Sequence, residues 1–288
     1  MTATTPTDVR SVQGGPRLAH TARLSFGGIL RSEWIKLRSL RSTVWSYLIV
    51  AAISIGMAVL MSFSLANGMS GIDVSAAPPA EQTGLVLQSA VFGTYFGQLV
   101  AGVLGVLVIS GEYTTGMIRS TLSAVPKRLP ALAGKAVVLF LATLVVGIVT
   151  NLAAFGIAAA IFAGSGVQVS LFAEHVLLTL GGAALYLALV AVFALGIGTI
   201  IRSSAGGIAA VLGILLLLPT VLGLIPADWA GAAMPYLLSS AGMTMFTTIG
   251  ADPATIPGPN AWQSLLVVLA WLAVSLAGAA VLLKRRDA

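Results

Sequence analysis

Apolar residues run through this chain in six blocks, at about 43–65, 85–109, 135–162, 173–201, 205–225 and 262–283. Each reaches the ~20 residues that a helix needs to cross ~30 Å of hydrocarbon. The pattern therefore predicts an all-α integral membrane protein with six transmembrane helices. Blocks three and four exceed that length, which predicts tilt, a kink or an extension beyond the bilayer. Glycines within the blocks, such as Gly97, Gly102, Gly105 and Gly147, allow helices to approach closely.

Ahead of the first block the period changes. On a helical wheel of residues 25–42, Phe26, Ile29, Leu30, Trp34, Leu37 and Leu40 share one arc, while Arg31, Ser32, Arg38, Ser39 and Ser42 face away. Ile35 falls on the polar side and Glu33 intrudes into the apolar arc. A basic amphipathic helix carrying a tryptophan lies in the membrane interface. Lys36 and Arg41 add to its basic character. This predicts an interfacial helix that anchors the first span, or one that also acts as a lever against a cytoplasmic partner. Glu33 needs a cation, either Lys36 one turn away or a group on a cytoplasmic loop.

The connection between blocks five and six is also unusual. Residues 226–261 hold five prolines yet stay apolar in the middle, with apolar residues at 234, 237, 238, 241 and 245 in helical spacing. The segment is too short and too interrupted to span. It predicts short external or re-entrant helices at the outer interface, with an irregular apolar loop as the alternative.

Charge turns these blocks into a topology. All 15 lysines and arginines lie in residues 1–42, in residues 110–135, at Arg202 or at the C-terminus, while the other connections carry Asp73, Glu81, Glu174, Asp228 and Asp252. Cytoplasmic loops retain Lys and Arg, so both termini are expected in the cytoplasm. Residues 1–24 lack an apolar core and read as a disordered cytoplasmic tail rather than a signal peptide. At 58% hydrophobic and 8% charged, with a mean hydropathy of +1.01, the chain belongs in lipid. The net charge of +6 sits beside the membrane, which suits anionic headgroups and argues against nucleic acid.

Several chemistries drop out. With no cysteine and only His20 and His175, the chain offers no thiolate site, no metal cluster and no nucleophile–base pair, so neither an intramembrane enzyme nor a bound cofactor or metal is expected. No carboxylate, histidine or lysine is expected deep in a span, against an ion-coupled carrier. Gln88, Tyr95 and Gln98 are spaced to share one face of span two. Asn151 lies in span three, where it lines a pathway or bonds across helices.

The loop at 110–135 starts with Glu112. Met117, Ile118, Thr121 and Leu122 suggest a short amphipathic helix, which Pro126 ends. Such a helix fits a groove in a partner protein, or else forms a re-entry turn at the lipid surface.

The order EWIKLRS, first span, then GEYTTGMIRSTLSAVPKR after span two resembles the permease subunits of ABC-2 type transporters, in the actinobacterial style. The resemblance covers residues 25–286. It implies that residues 25–42 form the connecting or elbow helix, with Phe26, Leu30, Glu33, Trp34, Lys36, Leu37, Arg38 and Arg41. It also implies that Glu112, Gly116, Met117, Ile118, Arg119, Leu122 and Pro126 couple to a separate ATP-binding-cassette subunit. A second permease subunit and export across the cell membrane are further implications. The chain has no Walker A motif, so ATP hydrolysis is expected elsewhere. A stand-alone secondary transporter, channel, or immunity or assembly factor remains the alternative.

Overall fold

The computed structural model describes residues 25–67, 76–117, 128–249 and 258–285, and among them there is no β-strand. The tail before Ser25 and residues 118–127 of the basic loop lie outside the described residues. Helix α1 (Phe26–Ser39) precedes α2 (Arg41–Ala66). A helical pair follows, α3 (Pro79–Val91) and α4 (Thr94–Thr114), then α5 (Arg128–Ala163) and α6 (Val176–Ile201). Next come α7 (Ser204–Leu212), a π-helical stretch (Gly213–Leu217) and α8 (Leu218–Gly223). After these, α9 (Asp228–Ala233) leads through a short 3-10 turn (Met234–Tyr236) to α10 (Leu238–Thr247), and α11 (Ala261–Arg285) closes the chain. Six units are long and apolar enough to cross a membrane: α2, α3–α4, α5, α6, α7–α8 and α11.

Helix α6 is the central post. It is buried along nearly its whole length and packs against α4, α5 and α11. Close approach requires glycine. A Cβ on Gly105 of α4 would lie 2.1 Å from the Ala191 carbonyl oxygen of α6, and one on Gly147 of α5 would lie 3.0 Å from the Ala184 Cβ. Helix α2 buries a narrow stripe, Ser46, Val50, Ser54, Ala58 and Ser62, each four residues after the last. Small side chains at this spacing let a lipid-facing helix pack tightly on one side.

Two helical irregularities have local causes. At Phe92–Gly93 the span breaks into α3 and α4, because Gly93 packs on the backbone of α2; a Cβ there would sit 2.3 Å from the Ser54 Cα. The turn resets the helical phase, so Gln88, Tyr95 and Gln98 do not share one face as their spacing predicts. In the fifth span the Leu218 N–H bonds the Gly213 carbonyl, five residues back, just ahead of Pro219. Proline brings no N–H and crowds the preceding turn, and the widened turn accommodates it.

Helix α5 runs 36 residues, about 54 Å at 1.5 Å per residue, far beyond the hydrocarbon thickness. Its first turns extend the base of the bundle, the end where α1 lies. Helix α6 begins at Val176 rather than 173, because His175 takes a left-handed conformation (φ 65°) at its N-cap. Within 226–261, α10 buries Leu238, Ala241 and Met245, whereas Met234 falls in the 3-10 turn and Leu237 is the N-cap.

Candidate functional site

At the base, three chain segments meet on four charged side chains. Helix α1 is capped by Ser25, whose Oγ accepts from the Gly28 N–H at 3.1 Å. It crosses α5 where α5 has a glycine: a Cβ on Gly134 would lie 2.7 Å from the Ile29 Cγ2. This close crossing buries Ile29, Glu33 and Leu37, one residue per helical turn. Glu33 thus enters the apolar arc of α1 because the Ile29–Glu33–Leu37 side of that arc faces protein, with a lysine beneath it.

The four groups alternate in sign. Glu33 Oε2 lies 2.6 Å from Lys135 Nζ, and Glu33 Oε1 lies 2.8 Å from Lys36 Nζ. Glu112 Oε1 closes the square, 2.9 Å from Lys135 Nζ and 3.0 Å from Lys36 Nζ. Three members are buried and Lys36 is partly open. Two carboxylates and two ammonium groups sum to zero, which is what a buried cluster needs. Burial alone would lower the Lys36 pKa, but the hydrogen bond and charge of Glu33 and the charge of Glu112 outweigh it and raise the value. A single contact near 2.8 Å contributes ~6 kcal/mol of gross attraction at an effective dielectric of ~20, set against several kcal/mol per ion of desolvation. The net gain is modest; the geometric constraint is strong.

What the quartet joins matters more than its energy. Glu112 ends α4, Lys135 lies in the first turns of α5, and the basic loop connects those two helices. Its two stems are therefore clamped to each other and to α1. Gly116, in a left-handed conformation (φ 71°), turns the chain out of α4. On the return side, Arg128 Nη1 donates to the Leu283 carbonyl at 2.9 Å and ties the loop to the end of α11. The Arg202 guanidinium stacks over the Tyr113 ring, 5.4 Å from its centroid. Beside the quartet is a cavity of about 310 Å³, lined by Lys36, Glu112, Thr115, Met117 and Ser204 among others. Glu112 Oε2, also buried, has no hydrogen-bond partner among the described residues.

The other residues singled out in the sequence are dispersed. Phe26, Trp34, Arg38 and Arg41 are exposed on α1 and the start of α2, and Leu30 is half-buried. Met117 is the last described residue before the loop, and Ile118, Arg119, Leu122 and Pro126 lie outside the described residues. Gln98 is buried and accepts the Tyr186 hydroxyl of α6. Tyr95 is exposed and, with Gln88, lines a separate cavity of about 840 Å³ at the opposite end, beside Glu174 and His175. Those last two form a solvated pair at 3.2 Å. Asn151 Nδ2 donates to the Leu180 carbonyl at 3.0 Å, a bond between α5 and α6.

From the sequence alone Lys135 counts only as a positive charge at the start of span three. Two signals were available. Ala131, Lys135, Val138 and Ala142 are spaced along one helical face, and the structure buries all four. Between residues 25 and 285, Glu33 and Glu112 are also the only carboxylates in the basic segments, and both are in the quartet.

Residues 28–288, nearly the whole chain, match the family described as ABC-2 family transporter protein. No curated protein matches the chain.

Proposed function

The chain belongs to the ABC-2 family of membrane transporters, and we propose that it is the permease subunit of an ATP-driven exporter, energised by a separate ATP-binding-cassette ATPase. The observation that carries this reading is the quartet, because it ties both stems of the basic loop to the interfacial helix. An ATPase that pushes on residues 110–135 moves α4, α5 and α1 together, since Glu112, Lys135 and Glu33 share contacts. A loop with unclamped stems would yield locally instead.

In this reading the base of the bundle faces the cytoplasm of the cell, both termini lie there, and the membrane is the cell membrane. Gly116, Met117, Ile118, Arg119, Leu122 and Pro126 form the coupling surface, and Glu112, buried behind it, ties that surface to the quartet. Two six-span subunits, identical or related, enclose the pathway. ATP hydrolysis takes place on the partner.

The test has two parts. The tagged chain, extracted in mild detergent from its native membrane, should carry a stoichiometric ATP-binding-cassette subunit. With that complex in vesicles, Glu112→Gln should leave assembly intact and reduce the coupling of ATP hydrolysis to transport. A folded chain that carries no such subunit refutes the assignment and favours a stand-alone membrane protein; a Glu112→Gln complex that couples like wild type refutes the role of the quartet in coupling.

A further inference from the structure

A second cavity lies on the outer flank of the base, where α1 meets α2 and α5. It encloses about 360 Å³, within the range of small-molecule sites. Its walls are apolar: Val44 and Tyr47 from α2, Leu141 and Val145 from α5. Val44, Leu141 and Val145 are exposed, so the groove opens sideways toward lipid rather than into the bundle. The Tyr47 hydroxyl is already bonded to Thr143 Oγ1 at 3.0 Å and leaves only its ring to the groove.

The mouth is different. Arg38 and Trp34, both exposed, stand over it from α1. Lys36 on the same helix spends its charge in the quartet, whereas no described carboxylate pairs with Arg38. Thr43, the first lining residue of α2, has a buried hydroxyl without a partner among the described residues.

We propose that this groove is a binding site for an anionic glycerophospholipid of the leaflet at the base of the bundle. The phosphate sits on the Arg38 guanidinium beside the Trp34 indole, and one acyl chain lies between α2 and α5 along Val44, Tyr47, Leu141 and Val145. An arginine over an apolar slot matches a molecule with an anionic head and an apolar tail. Charge also selects lipid over a second copy of this chain. Glu33 and Glu112, the carboxylates at this end among the described residues, are both held in their own quartet, so the described part of a neighbouring copy offers no free carboxylate for Arg38.

The bound lipid would wedge α1 against α2 and α5 from the side opposite the quartet, making the stiffness of the loop's anchorage depend on the surrounding membrane. This goes beyond the transporter assignment and needs no ATPase to test. The full-length chain is reconstituted in nanodiscs of phosphatidylcholine with phosphatidylglycerol and released for native mass spectrometry. Photoactivatable phosphatidylglycerol, with the reactive group in its acyl chain, maps the contact by peptide.

Wild type should retain phosphatidylglycerol over phosphatidylcholine, with labelling concentrated at 43–47 and 141–146. Arg38→Gln should lower the bound phosphatidylglycerol about tenfold, the loss of one charge-assisted contact. Arg31→Gln, on the same helix but away from the groove, should not. Val145→Trp, which fills the slot, should remove the labelling. Should that variant fail to fold, Arg38→Gln decides alone. Equal retention of the two lipids by wild type, an Arg38→Gln variant that binds like wild type, labelling spread evenly over the helices, or a second chain cross-linked at 141–146 overturns the proposal.

Discussion

Replacing Lys135 with methionine tests the quartet where it is most sensitive. Methionine keeps most of the volume and removes the charge. The Lys135 side chain is 6% exposed and contacts Glu33 at 2.6 Å and Glu112 at 2.9 Å. Without it, two buried carboxylates share Lys36 alone, and the cluster carries a net charge of −1. Breaking a buried ion pair by removing one partner costs about 3–5 kcal/mol. Lys36 stays within reach of both acids, so the lower end, about 3 kcal/mol, is expected. The assay is reversible unfolding of the reconstituted helical bundle, followed by circular dichroism across a denaturant series. The triple change Lys135→Met, Glu33→Gln and Glu112→Gln should recover part of the loss, because no uncompensated carboxylate remains. If Lys135→Met unfolds within about 1 kcal/mol of wild type at neutral pH, below the smallest buried-pair penalty, the reasoning fails.

Three further outcomes follow from particular contacts. Lys36 has its folded pKa raised, so it contributes stability that is complete below the unfolded value near 10.5 and lost as pH rises above it; an alkaline unfolding series should show that step in wild type and not in Lys36→Met. Gly105→Ala places a Cβ 2.1 Å from the Ala191 carbonyl oxygen at the α4–α6 crossing and should destabilise by about 3 kcal/mol, the upper end of ordinary overpacking, read as a shifted denaturant midpoint. The chain has no cysteine, so single cysteines report sidedness directly. Ser170→Cys should react with an impermeant maleimide in intact cells and Thr115→Cys only after permeabilisation; the reverse pattern overturns the orientation.

The six-span architecture was legible because lipid imposes a length rule, which acts on composition over twenty or more residues. The single residues depended on packing that such windows do not see. The three polar groups of span two illustrate this. Their spacing puts Gln88, Tyr95 and Gln98 on one face only if the helix is continuous, but the contact of Gly93 with Ser54 breaks it. As a result Gln98 turns inward to Tyr186 while Tyr95 stays exposed. Glu33 was readable as an anomaly, a carboxylate in an apolar arc, and the need for a cation followed from physics alone. Which cation, beyond Lys36, depended on α1 crossing α5 at Gly134, a contact between residues over a hundred positions apart.

The arrangement of charges at the base also explains why the quartet is buried at all. An exposed ion pair contributes little and holds its partners loosely. If the aim were stability alone, apolar side chains of similar volume would serve α1, α4 and α5 as well or better. Apolar packing is non-directional and tolerates sliding, whereas four alternating charges at 2.6–3.0 Å hold three helices in one register and oppose slipping by a turn. That property suits a joint that must pass displacement from a loop into a bundle without being deformed itself. It also makes a distinction that double-mutant cycles can measure. Exchanging the charges of Glu33 and Lys135 (Glu33→Lys with Lys135→Glu) preserves neutrality but replaces two of the four attractive contacts, 33–36 and 112–135, with like-charge pairs and lowers the stability. A joint that works through register should lose coupling in this pair even where the bundle remains folded, and a merely structural cluster should not.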